Sequence, residues 1–417
     1  VVALAAVLAC HEPLSGPAAG AGLVLSVAGD GAALRALDSG FVRLGGPTAR
    51  VVKVTPGTTV TITGLMPGTY SVALQGYTGG GVSHFGQATG VQVVVGQNAN
   101  ATVTFTSFVP VVAALPAAVA GRTFSVSYAS VTNATSYSVE AATNVAFTAN
   151  RVTVSGAPTT QSLTGAVVGD HFVRVRAIDP FGAAGQWSPV QQIQLRGYFY
   201  LIRDSDERLR RLDPVTNTIS DVGPLGILYE FGGCAWNPAN STLYMVDGRH
   251  SPSPTNSLYR VNLTTGAATL VGAHGIGDMF SIAYHPPTDA LYGVSVVTDQ
   301  LYRFNLATGA ATAIGSTGPT LPYIGGLVWD PVRARLVAIS AGPGELYSMN
   351  IATGLATSLG ASPGSVSDVG LGYNPVNDRL VAADYAGSVF EYNPVAPFAR
   401  TTRLSAQGTH TCIAFVP

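Results

Sequence analysis

Residues Leu258–Gly272 read LYRVNLTTGAATLVG, and the pattern returns as Leu301–Gly315 (LYRFNLATGAATAIG) and Leu346–Gly360 (LYSMNIATGLATSLG). Degenerate copies begin at Leu209 (LRRLDPVTNTISDVG) and Val389 (VFEYNPVAP), so the five starts are spaced by 49, 43, 45 and 43 residues. A second motif alternates with the first, an apolar run that closes on an aromatic residue, a polar residue and proline. Its copies are FGGCAWNP (Phe231–Pro238), FSIAYHP (Phe280–Pro286), IGGLVWDP (Ile324–Pro331), VGLGYNP (Val369–Pro375) and the variant CIAFVP (Cys412–Pro417).

Each unit reads as four short strands: an inner strand a (GGLVW), strand b (RLVAIS), strand c (ELYSMNI), a Thr-Gly turn and an outer strand d (ATSLG). Periods of about 40–50 residues with four strands apiece predict a β-propeller, and five copies of each motif predict five blades. The array opens with strands b, c and d alone (YFYLIR, RLRRLD, NTISDVG) and ends with an isolated strand a, THTCIAFVP. The last strand therefore completes the first blade, which removes the edges an open array would expose. The strand order resembles the YWTD and related propellers, although the YWTD tetrapeptide is absent.

The rest of the chain agrees with an all-β reading. Of 417 residues, 49 are Gly, 26 are Pro and only 10% are charged, a composition of short strands and tight turns. With 21 basic and 22 acidic residues there is no electrostatic case for nucleic acid or for general attraction to an anionic membrane. Lys53 is the only lysine, to which we give no mechanistic weight.

The chain begins VVALAAVLAC, too short an apolar run to span a bilayer. Val7-Leu8-Ala9-Cys10 resembles a bacterial lipobox, which implies a lipidated Cys10 and an outer-membrane or cell-surface location, with ordinary secretion as the alternative. Residues 1–10 are thus read as a signal remnant and 11–22, rich in Pro, Gly, Ala and Ser, as a linker. Residues 23–107 carry short alternating strands and the motif Gly64-Leu65-Met66-Pro67-Gly68-Thr69-Tyr70. They resemble a carboxypeptidase-regulatory or prealbumin-like β-sandwich, in which Tyr70 would be a core residue. Residues 108–196, through Thr123–Asn144 and His171–Pro189, resemble a fibronectin type III sandwich, with Tyr128 in place of its core Trp and His171 near its corner Tyr. The alternation Val173-Arg174-Val175-Arg176-Ala177 predicts valines inward and arginines in water. His171 is read as a core residue rather than a metal ligand. The propeller takes 197–417. The expected fold is therefore all-β, two β-sandwiches followed by a five-bladed propeller closed by a C-terminal inner strand.

Chemistry is sparse. The Thr-Gly turns join strands rather than opening helices, so they are turns and not phosphate loops. The aromatics Trp236, Tyr284, Trp329, Tyr373 and Phe415 recur once per blade, which favours packing between blades over a stacking platform. Just before each strand a stand Glu230, Asp278, Tyr323, Asp368 and His410, which do not repeat in identity and so form the candidate binding ring at one mouth of the channel. Asp247, Arg249 and His250, in the longest b–c loop, would overhang it. No metal site or cofactor motif is assigned. Cys234 and Cys412 fall on inner strands of adjacent blades, where either a disulfide or two buried thiols fits. These residues are read as a monomeric, non-enzymatic envelope lipoprotein that binds a protein or glycan at the propeller mouth and meets the membrane only through its lipid. A carbohydrate-active hydrolase using channel carboxylates and a purely structural envelope or matrix component are the alternatives.

Overall fold

The computed structural model describes residues 21–29, 36–55, 59–248, 256–318 and 324–417. Cys10, Arg249, His250 and Tyr323 lie outside the described residues, as does the linker before residue 21. Among the described residues the regular structure is β, apart from two single turns of 3-10 helix at Asp204–Asp206 and Pro286–Thr288. The chain divides into two compact units. One holds the residues through Leu115 with Thr123–Thr164 and His171–Gln192, the other Pro116–Arg122, Gly165–Asp170 and Ile193–Pro417.

The first unit contains the strands of both sandwiches. Seven strands form one continuous sheet in the order Arg50–Val54, Ser39–Gly45, Gly68–Thr78, Gly81–Val93, Asn98–Ser107, Ala21–Gly29, Thr59–Leu65. In the last of these Ile62 and Leu65 are buried while Thr59, Thr61 and Thr63 face water, the alternation expected of a strand with one buried face. Tyr70 is 1% exposed, donates its hydroxyl to the Met66 carbonyl at 2.8 Å and accepts the Thr48 N–H at 3.0 Å. The ring fills the core while its oxygen ties two turns together.

Farther along this unit, Ser136–Ala142 pairs with Val152–Gly156, and Thr123–Ser127 with Thr160–Thr164. Tyr128 is buried, donates to the Pro158 carbonyl and accepts from Gln161 Nε2, both at 2.8 Å, and His171 is wholly buried. Val173, Val175 and Ala177 point inward as expected, but the arginines between them do not simply stand in water. Arg174 forks onto Glu140 at 3.0 and 2.7 Å and lies over the rings of Phe147 and Trp187, while Arg176 lies over Trp187. Guanidinium planes gain from aromatic faces, so this strand buries part of its polar side too. The turn after it is held by Asp179, whose Oδ1 accepts the N–H groups of Phe181 and Ala183 at 2.9 and 2.8 Å and whose Oδ2 accepts Gln75 Nε2. Gln75, wholly buried, accepts Arg43 Nε–H at 2.6 Å. Through this chain of bonds the two sandwiches meet in one polar joint.

The second unit contains five four-stranded antiparallel sheets. Blade 1 combines Tyr198–Arg203, Arg208–Asp213 and Thr218–Pro224 with the distant strand His410–Val416, which pairs as its inner strand from Tyr198↔Val416 to Arg203↔His410. Blades 2 to 5 run in sequence, their inner strands being Cys234–Asn237, Met279–His285, Ile324–Asp330 and Val369–Asn374. Apolar clusters lie at all five junctions, including the last, where Val381, Ala383 and Val389 of blade 5 meet Phe199, Leu201 and Ile413 of blade 1. The propeller is five-bladed and closed. Cys234 and Cys412 form a disulfide across the blade 1–blade 2 seam, with Cα atoms 5.4 Å apart and a separation of 178 positions in sequence.

The repeat itself becomes legible in this frame. Asn262, Asn305 and Asn350 each accept the N–H groups two and three residues on, at 2.8–3.2 Å, which shapes the c–d turn. Gly266, Gly309 and Gly354 follow with φ of 80°, 78° and 83°, a conformation that costs other residues dearly. Each also packs against the final glycine of the preceding blade's repeat. A Cβ on Gly266, Gly309 or Gly354 would run into the carbonyl oxygen of Gly223, Gly272 or Gly315 respectively. The turn glycine of one repeat and the final glycine of the repeat before it are thus opposite halves of one blade-to-blade contact. At the last junction Arg403 takes over, donating to Asn217 Oδ1 at 2.6 Å and to the Pro214 carbonyl.

Two outcomes test this packing. Gly309→Ala is expected to destabilise the propeller by about 2 kcal/mol or more in urea unfolding, from left-handed strain plus the clash with Gly272, whereas exposed Thr308→Ala beside it costs less than about 0.5 kcal/mol. Breaking the disulfide by reductant or by Cys234→Ala/Cys412→Ala is expected to cost up to about 5 kcal/mol in the chain-entropy model; an unchanged melting temperature would show that the seam does not depend on it.

Candidate functional site

Antiparallel blades give the channel two ends, one carrying the b–c turns and the residues that precede strand a, the other carrying the a–b turns. The sequence-derived ring belongs to the first. Glu230, Asp278 and Asp368 are half-buried there, and His410 is 1% exposed. Burial holds the His410 imidazole down at about 4, with Arg210 and Arg203 pushing the same way, so it is neutral at pH 7. Asp247 is wholly buried and its Oδ1 accepts the Ser257 N–H at 2.7 Å. In blade 5 the equivalent Asp384 accepts from Ser388 at 2.8 Å, and in blade 4 Ser340 Oγ accepts from Glu345 at 3.1 Å. Asp247 thus closes a b–c turn, a structural duty repeated around the ring.

Sequence reasoning missed Asp204. It sits in the b–c turn of blade 1, accepting Thr411 Oγ1–H at 2.7 Å on one oxygen and the Phe231 N–H at 3.1 Å on the other. Burial raises its carboxyl to about 6; the bonds from Thr411 and Phe231 oppose the shift, and the nearby Glu230 and Asp368 add to it. Glu230 and Asp368 are thus near enough to Asp204 for their charges to be felt there. The only sequence signal was the acidic turn Asp204–Asp206 on a blade whose inner strand comes from elsewhere. Above this group Phe231 stacks on Tyr385 with centroids 5.1 Å apart and leans on Phe280 at 5.9 Å. The void bounded by Phe231, Phe280, Gly325, Asp368, Val369 and Thr411 is about 10 Å³, room for about one water. Among the described residues, no group of three or more His, Cys, Asp or Glu could hold a metal ion.

At the a–b end lies a cavity of about 230 Å³, lined by Trp236, Tyr284, Trp329, Tyr373, Phe415 and the prolines that follow them in blades 2 to 5. The aromatics do pack between blades. Trp329 of blade 4 meets His285 of blade 3 edge-on, centroids 4.3 Å apart, and the hydroxyls of Tyr284 and Tyr373 donate to Asp289 and Asp378 at 2.9 Å. The same rings also wall the cavity, so packing and platform are not alternatives here. The polar residue before each proline shapes the a–b turn: Asn237 accepts the Ala239 N–H at 2.9 Å and Asn374 the Val376 N–H at 3.1 Å. Arg333 joins two blades by pairing with buried Asp330 at 3.2 Å and with Asp378 at 2.6 Å. Trp236 Nε1 is shielded from solvent and has no acceptor among the described residues.

Residues 197–378 match a family model described as a repeat of unknown function (DUF6923). The chain matches none of the curated proteins. Among solved structures it is similar to a structural-genomics protein of unknown function from Bacteroides thetaiotaomicron, with 12% identity over 73% of this chain and 92% of that one and a TM-score of 0.40. It is similar also to a nidogen/laminin complex chain (17% identity, 52% and 82% covered, TM-score 0.39) and to TolB from Acinetobacter baumannii (14%, 60% and 80%, 0.35). Likenesses at this level carry no argument about function.

The buried acid has a measurable signature. Because the folded Asp204 pKa is raised from 3.8 to about 6, the native state binds more protons than the unfolded state between those values, so this group's contribution falls as pH rises. His410 and His274, both lowered by burial to about 4, act in the opposite sense over the same window. Asp204→Asn is therefore expected to gain stability relative to wild type between pH 4 and 7, on the order of 2–3 kcal/mol, and none below pH 4. Urea unfolding of both proteins at several pH values checks this; a pH-independent difference contradicts it.

Proposed function

We propose that this protein is a non-enzymatic binding protein of the bacterial cell envelope, lipid-anchored through Cys10, with prealbumin-like and fibronectin-like sandwiches as spacers and the propeller as the binding element. The observation that carries the reading is the aromatic cavity at the a–b end of the channel, a concave apolar surface ringed by turns, the usual setting of a recognition site. It moves the expected site from the polar ring to the opposite mouth. Its walls hold no nucleophile and no carboxylate–carboxylate pair, which supports binding of a protein or glycan rather than turnover. Two sandwiches joined through the Asp179–Gln75–Arg43 bonds suit a stiff spacer.

One observation favours hydrolysis instead: Asp204, raised to about 6 beside Glu230 and Asp368, has the character of a general acid paired with carboxylates. The two readings separate in one experiment. Polysaccharides and aryl glycosides are screened for retention and for product with wild type, Trp329→Ala, which removes one wall of the cavity, and Asp204→Asn. Binding without product, lost in a Trp329→Ala protein that still unfolds cooperatively, is the expected result; product formation abolished by Asp204→Asn replaces the binder with a hydrolase. For the anchor, Cys10→Ser is expected to move the protein from the membrane fraction to the soluble fraction, and its retention on membranes would count against lipidation.

A further inference from the structure

We infer that a polar pocket where blade 5 meets blade 1 binds a single carboxylate group, held between Arg196 and Arg403. The inference is independent of the a–b cavity and of the binding reading above.

The pocket's walls come from three places in the propeller unit. Gln194 and Arg196 stand on the stretch leading into blade 1, Pro214 in the c–d turn of that blade, and Asn374 and Asn377 on the a–b turn of blade 5, whose outer strand adds Arg403. Arg403 is fixed in place. Its Nε donates to Asn217 Oδ1 at 2.6 Å, and its two terminal nitrogens donate to Glu391 and to the Pro214 carbonyl. A guanidinium carries five N–H groups, so two remain after these bonds. Arg196 is half-buried and donates its Nε–H to Gln194 Oε1 at 2.7 Å. Among the described residues its terminal nitrogens have no partner, and no carboxylate pairs with it. Asn374 spends its side-chain oxygen on the Val376 N–H at 3.1 Å, which leaves the amide nitrogen spare. The unused capacity of the pocket is therefore chiefly donors, and planar arginine forks match an oxyanion.

Charge selects among oxyanions. Arg196 and Arg403 against Glu391 leave one net positive charge at the pocket. Asp170 accepts from Gln194 Nε2 at 3.2 Å, but it is exposed and does not line the pocket, so water and salt screen it. A carboxylate brings one negative charge and balances the site. A phosphate group, at about −1.5 to −2, would bring an excess charge toward Glu391. Size agrees with the smaller anion. The space is about 60 Å³, and at about 10–15 Å³ for each water it holds roughly four to six water-sized groups. That accommodates a carboxylate with its first carbons and excludes a sugar ring or a nucleotide.

The test is isothermal titration calorimetry on the intact protein at constant ionic strength, with acetate, inorganic phosphate, chloride and N-acetylglycine as probes. Acetate is expected to bind with Kd on the order of 1 mM and phosphate more weakly. Arg196→Gln removes the charge and leaves the bonds of Arg403 in place; it is expected to weaken acetate at least about tenfold, the worth of a charged hydrogen bond. Arg196→Lys keeps the charge without the fork and is expected to lose less, about threefold. Asn377→Ala, on the exposed turn, provides a second reading with a loss of about threefold. Urea unfolding of each variant establishes that it is folded. N-acetylglycine binding as well as acetate supports the inference and places the carboxylate at the end of a longer chain; acetate binding alone supports it for free small acids. Acetate that produces no heat, that binds Arg196→Gln as well as wild type, that binds more weakly than phosphate, or that is displaced by an equal concentration of chloride overturns it.

Discussion

The pairing of Tyr198–Arg203 with His410–Val416 is the constraint on which the propeller depends. Four of the five sheets are built from consecutive chain and need only local turns; the fifth exists only if the two ends of the array meet, as at Asp204 and Thr411, 207 residues apart. Bringing such distant segments together carries a loop-closure cost that rises slowly with length. It is offset by burial of Phe199, Leu201, Ile202, Cys412 and Ile413, each at most 1% exposed, and by the Cys234–Cys412 bond on the neighbouring seam. The disulfide falls beside the shortest inner strand, Cys234–Asn237, where four residues stand in for the six or seven of the other blades. A covalent link placed there supports the seam with the least strand to pack.

Much of this was legible in the sequence because repetition amplifies weak signals. A single Thr-Gly is an ordinary turn; three of them, each followed six residues later by another glycine, record a contact made between neighbouring blades. What the repeat does not reveal is which atoms meet, since Gly309 touches Gly272 and not its own partner within the repeat. The inward alternation of Val173, Val175 and Ala177 was legible, but the Arg174–Trp187–Arg176 stack was not, because a period of two assigns faces but not what covers them.

The site was less legible, for a physical reason. Non-repeating residues looked informative, yet Asp247 has a turn-closing role that recurs, filled by aspartate in blades 2 and 5 and by serine in blade 4, and His410 is a neutral core imidazole. The residue that feels the charges of Glu230 and Asp368 is Asp204, hidden in the one blade whose strands are out of sequence order. The recurring aromatics had two duties that sequence presents as rivals. A ring that packs against the next blade with one face can wall a channel with the other, and five of them at one level necessarily enclose a space.

Native-state hydrogen exchange tests the closure most directly. If the ring is closed by its terminal strands, the amides of Tyr200, Leu201 and Ile202, whose strand is paired with the closing strand on one side and with Arg208–Asp213 on the other, exchange only through global unfolding, with the same opening free energy as those of Leu291 and Tyr292 in blade 3. Exchange of the closing strand through a smaller, independent opening, while blade 3 stays protected, would contradict the account.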